Sequence, residues 1–233
     1  MRPFEESDGR FVARLTRDER FAIAQVAEQV VELLEQEIDG LEEIAAAVAD
    51  DGLPASLLGL DDSRVEAPTD PAVRRLLPNA APTDAAVGEE FRRLTQTDLA
   101  LSKVGRLTAL CEALVGADEP LLDLVDDEDD AAVDAILDDD DLGSREIALE
   151  PSDTQSFAGA LTDVRLVLAE RLGIVTDVDS DRLATAVEQA WRGEAELEPR
   201  TELLGSVFLL AGYLQESLLD LMLARLRGAG PAI

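Results

Sequence analysis

Apolar residues recur along most of this chain at three- and four-residue steps, a period that only helices packed on helices can satisfy. Ile23, Val26, Val30, Leu33 and Leu34 make one such stripe. Phe157, Leu161, Val164, Leu168 and Leu172 make another. Aromatic residues are 3% of the chain, so the core must be built from Leu, Val, Ile and Ala, which suit helical packing. The expected fold is mainly α: a single-domain helical bundle spanning 1–233, with a small N-terminal β-hairpin.

The hairpin is read over 1–15. Asp8-Gly9 can adopt the positive φ angles of a tight primed turn, and Phe11, Ala13 and Leu15 alternate with Val12 and Arg14. Helices are expected over 17–38, 85–115, 153–172, 182–191 and 201–227. Thr16 and Glu19 form a capping box for the first, and Ser152 and Gln155 the same pattern for the third. Asp84, Asp181 and Thr201 are the expected caps of the second, fourth and last helices. Whether Thr95 to Thr97 divides 85–115 stays open.

Between Asp50 and Thr83 Gly and Pro punctuate a long connection, with a helical turn from Ala72 to Leu77 after Pro71. Residues 123–141 read as an acidic loop insertion, with a candidate short helix from Ala131 to Leu137. Arg145 to Leu149 is a candidate third strand beside the hairpin. The last helix is apolar around much of its circumference, which fits the centre of a bundle or a subunit interface. The central position is the expectation, as the commoner one in all-α folds.

Charge and missing residue types narrow the function. Twenty basic against 51 acidic residues leave a net charge of −31, which repels phosphate backbones and anionic membranes. Direct nucleic-acid binding is therefore disfavoured, and a protein partner with a basic face is expected. The plainer role of that charge is solubility. The absence of histidine excludes Ser-His-Asp and Cys-His catalysis and His-ligated zinc. No nucleotide-binding loop, CxxC or nucleophile elbow is found. No catalytic residue, cofactor or metal site is assigned, and the chain is not read as an enzyme.

The N-terminus lacks the apolar core of a signal peptide. The strongest apolar run, Val207 to Leu214, falls short of the roughly 20 residues that span a bilayer. A cytoplasmic protein with no membrane association is expected. Asp177, Asp179, Asp181 and Glu188 fall at positions 1, 3, 5 and 12 of a calcium loop, but Arg182 stands where glycine must turn the chain. An Asp-rich helix start is the preferred reading. Cys111, the sole cysteine, lies beside Leu107, Leu110 and Leu114 as a candidate redox residue or a packed thiol. Arg74 and Arg75, with Arg92 and Arg93, are the densest basic spots. The first pair are candidate interaction residues, although local carboxylates are their expected partners.

Several segments carry a family likeness: DGRFVARL at 8–15, DPAVRRLLPNA at 70–80, EEFRRLT at 89–95, LTDVRLVLAERLGI at 161–174 and YLQESLLDLML at 213–223. Through them the chain resembles an actinobacterial family of unknown function that includes AosR-type oxidative-stress transcriptional regulators. The resemblance implies a regulatory role exerted by protein contact, with RNA polymerase or a sigma factor as the partner. One cysteine cannot close an internal disulfide, and no DNA-binding motif is recognisable, so no functional residue is carried over. Arg74, Arg75, Arg165 and Glu216 belong to the resembling motifs, where packing alone would account for them. The alternative is a homodimeric structural or ligand-binding bundle joined through its last helix. A direct DNA-binding regulator ranks third.

Overall fold

The computed structural model describes residues 2–38, 40–51, 66–116 and 144–228. The acidic 123–141 segment, with its candidate helix at Ala131 to Leu137, lies outside the described residues. Those described form a mainly helical fold with one small antiparallel sheet.

The sheet joins β1 (Arg2–Ser7), β2 (Arg10–Leu15) and β3 (Arg145–Leu149) in that spatial order. Asp8 and Gly9 take φ of 52° and 80°, as a primed turn requires. Register follows the pleat: Phe11 faces Leu149 and Ala13 faces Ile147, and all four are buried. The strand read at Arg145 to Leu149 thus completes the sheet. An irregularity in β1 between Arg2 and Glu5 accompanies burial of Phe4, whose ring meets Phe157 edge-on at 5.7 Å.

Helix α1 (Arg17–Glu37) begins with both halves of the Thr16/Glu19 capping box. A further helix, α2 (Leu41–Asp51), occupies residues that the spacing left unassigned. Short α3 (Pro71–Leu76) has Asp70 as cap and Pro71 in its first turn. Helix α4 (Ala85–Val115) runs unbroken through Thr95 to Thr97 for 31 residues, capped by Asp84. Only its second half enters the core: Ala100, Leu107, Leu110 and Leu114 are buried, whereas Val87, Phe91 and Leu94 face outward.

Helix α5 (Thr154–Arg171) packs against α1, α3, α4 and α7. Its cap is Asp153 with no side-chain hydrogen bond; Ser152 donates to the Asp153 carboxylate instead, so the expected Ser152/Gln155 box does not form. Helix α6 (Asp177–Trp191) starts earlier than 182, because Thr176 and Asp179 form a capping box there. Helix α7 (Pro199–Gly228) is capped by the Glu198 carboxylate, which accepts from the backbone N–H and hydroxyl of Thr201. Thr201 is thus the capped residue.

The core runs through the sheet's inner face and α1, α4, α5 and α7. The helix surrounded by others is α5. One face of α7, with Val207, Phe208, Ala211, Leu214 and Leu218, is buried against β1 and its neighbouring helices. Elsewhere along α7 Leu203, Tyr213, Leu219, Leu223 and Leu226 are exposed. Burial of α7 is therefore one-sided, unlike the central position expected for it.

Candidate functional site

The most heavily paired charges lie inside the bundle. Lys103 on α4 donates to the Asp163 carboxylate on α5 at 2.7 Å, and Arg106 reaches its second oxygen through Nε at 2.5 Å. Asp163 is 1% exposed, so an unpaired carboxylate there would be costly; two cations offset its desolvation. Gly159 leaves room for Arg106, whose Nη1 would lie 3.2 Å from any Cβ at that position. The clue in the sequence was slight: a lone lysine among 19 arginines, and an aspartate in the middle of an apolar stripe.

A second, partly buried network joins α5 to α7. Arg165 donates to the Gln215 side-chain oxygen at 2.6 Å, and the Gln215 amide donates to the Ala158 carbonyl and the Thr162 hydroxyl. The Arg165 guanidinium lies 5.1 Å from the Phe208 ring centre, which places its charge over the aromatic face. Gly212 permits this approach, since a Cβ there would sit 3.4 Å from Arg165 Nε.

Above this network lies a groove of about 610 Å³, bounded by α7, Arg165 of α5 and Ser180 of α6. Leu209, Tyr213, Leu219 and Leu223 supply its apolar lining, and Glu216 and Asp220 its carboxylates. Tyr213, Leu219 and Leu223, all lining the groove, are 45%, 40% and 47% exposed, so large apolar side chains are left open to solvent there. By length and composition α7 also qualifies as a helix able to cross a bilayer, in contrast to the short run read from Val207 to Leu214. A core helix passes the same test, and here a third of the apolar window is buried.

The residues singled out from the sequence are dispersed. Cys111 is half-buried on α4, its Sγ 3.5 Å from the Ala24 carbonyl oxygen. Burial pushes its thiol pKa up to about 11, with the Glu28 and Glu112 charges adding to the effect. A reactive thiol requires the reverse shift. Arg74 Nε donates to the Pro68 carbonyl at 2.8 Å, and Arg75 pairs with Glu170 at 2.5 Å. Arg75 thus ties α3 to α5 through a carboxylate distant in sequence, and Arg74 holds a backbone carbonyl rather than the local carboxylate expected for it. Arg93 pairs with Glu90 within α4.

Asp177, Asp179 and Asp181 are helical, so no calcium loop forms there. Asp179 accepts from the backbone N–H and hydroxyl of Thr176, and the hydroxyl bond is the chief cause of its lowered pKa. Glu188 pairs with Arg192. Among the described residues no group of three or more His, Cys, Asp or Glu could hold a metal ion.

No curated protein and no solved structure matches the chain. A family model described as a domain of unknown function, DUF2017, matches residues 1–222. That match takes in the sheet, the first six described helices and all but the last six residues of α7, and the chain belongs to the DUF2017 family.

Proposed function

We propose that this protein is a cytoplasmic regulator or adaptor that works by protein–protein contact rather than catalysis. The exposed apolar face of α7 carries the proposal: a helix anchored in the core on one side offers Tyr213, Leu219 and Leu223 to a partner on the other. The surplus of carboxylates favours a basic partner and speeds its approach. Likeness to the AosR-type oxidative-stress regulators of actinobacteria supplies the finer reading, in which the partner is RNA polymerase or a sigma factor.

Affinity capture of the tagged chain from its own cytoplasm, with and without peroxide, tests this reading. Recovery of polymerase or a sigma factor is the expected result, with or without peroxide, since the sole cysteine supplies little thiolate. Recovery of the bait alone counts against it. Because the Cys111 thiol is held protonated, a Cys111→Ser variant is expected to retain the partner.

The same exposed face favours a second reading, a homodimer joined through α7. Sedimentation across a hundredfold range of concentration, at about physiological salt, decides it. A monomer throughout removes the dimer.

A further inference from the structure

We infer that the groove along α7 receives an amphipathic basic helix from a partner protein; this rests on the contact reading above and names its site. The lining runs from Phe208 to Leu223, and 15 residues at 1.5 Å each make about 22 Å, or four helical turns. Along it Leu209, Tyr213, Glu216, Asp220 and Leu223 follow one another at steps of three and four, an exposed or half-exposed stripe of apolar and acidic side chains with Leu219 at its edge. A second helix laid in such a groove meets it with apolar side chains at i, i+3 or i+4, and i+7.

Charge selects the occupant. Glu216 and Asp220 stand in the groove with no hydrogen bond or ion pair among the described residues. Asp177 lies one turn before the lining residue Ser180 on α6, so it adds a further carboxylate on that side. The groove's own cation, Arg165, faces Gln215 and the Phe208 ring and forms no ion pair with either carboxylate, so two acids against one cation leave the groove net negative. Lysine or arginine flanking the apolar stripe of an incoming helix would supply the missing positive charge. A second copy of this chain brings its own net charge of −31 and the same carboxylates, which oppose self-association. An anionic lipid surface is opposed in the same way.

The test uses the full chain and a synthetic peptide of about 18 residues, leucine at i, i+3, i+4 and i+7 and lysine elsewhere, carrying a fluorophore. Anisotropy is measured at about 0.15 M salt, where diffuse attraction is screened. Three variants are compared with the parent: Tyr213→Ser with Leu223→Ser, Glu216→Gln with Asp220→Gln, and the control Glu194→Gln with Glu196→Gln outside the groove. All six positions are exposed, so thermal melting should be unchanged. The inference predicts one-to-one binding, weakened about tenfold or more by each groove variant and unaltered by the control.

Equal effects of groove and control variants would overturn it, since binding would then be general charge attraction. A dimer that the Tyr213→Ser, Leu223→Ser variant dissociates would assign the face to a second copy. Retention on phosphatidylcholine vesicles, lost in that same variant, would assign it to lipid. If the peptide fails while affinity capture still returns a transcription-apparatus partner, the contact reading stands and the groove assignment falls.

Discussion

Replacing Asp163 by Asn keeps the shape of the side chain and removes its charge. The Lys103 ammonium, 8% exposed, would then face an amide, while Arg106, 25% exposed, could turn toward water. Breaking a buried pair by deleting one partner costs about 3–5 kcal/mol, because the remaining charge is left desolvated. Arg106's exposure places the expected loss near the lower end, about 3 kcal/mol. Urea unfolding at pH 7 measures it: with a slope near 3 kcal/mol/M, the midpoint should fall by roughly 1 M. Lys103→Met should cost less, about 1 kcal/mol, because Asp163 keeps Arg106. The double variant Lys103→Met, Asp163→Leu removes both buried charges and should cost less than Asp163→Leu alone, a coupling read by a double-mutant cycle built on Lys103→Met, Asp163→Leu and the two together. An Asp163→Asn cost under about 0.5 kcal/mol at constant slope would refute the reasoning, because the carboxylate would then not be compensating a desolvated lysine.

Four other outcomes follow from the structure. Raising the Cys111 pKa from an ordinary 9.0 to about 11 leaves about a hundredfold less thiolate at pH 8, so a disulfide reagent should label the native chain slowly and the urea-unfolded chain fast. Since the folded state binds that proton more tightly, its contribution to stability is full below pH 9 and is lost as pH rises toward 11, a decline that Cys111→Ala should reduce in pH-dependent melting. Gly116→Ala forces a side chain onto a φ of 83° and within 2.8 Å of Arg145 Nη1; a loss of about 2 kcal/mol in urea unfolding is expected. The Glu37 pKa is lowered chiefly by the Thr69 hydroxyl, with backbone N–H groups of Thr69 and Asp70 assisting, so its stabilisation is present above pH 4.5 and fades as acid is added below it. Glu37→Gln should flatten that part of the acid-melting curve.

Elements whose ends are set by local chemistry were legible from the residues. The Thr16/Glu19 box, the Asp8-Gly9 turn and the Pro71 start of α3 each depend on a few neighbouring atoms, and each stands where the pattern placed it. The Ser152/Gln155 and Thr201 caps failed for the same reason that makes capping local. More than one polar side chain lies within reach of each helix start, and Asp153 and Glu198 occupy those places. Helix α2 escaped notice because Leu41 to Asp51 has alanines where a stripe needs larger side chains.

The candidate site was less legible than the fold. Cys111 and the Asp177 region were visible as residue types, but thiol pKa and carboxylate convergence depend on what surrounds them in space. One lies partly buried beside Glu28, and the others are fixed in a helix whose turn points them apart. By itself, the sequence determined the helical class, the sheet's first turn and the sign of the surface charge, since period, φ preference and composition act over a few residues. Only the tertiary structure decided which helix is surrounded, which face of α7 stays open, and that Lys103 and Arg106 meet Asp163. Those outcomes depend on contacts between residues 50 or more positions apart, where burial and electrostatics act through space.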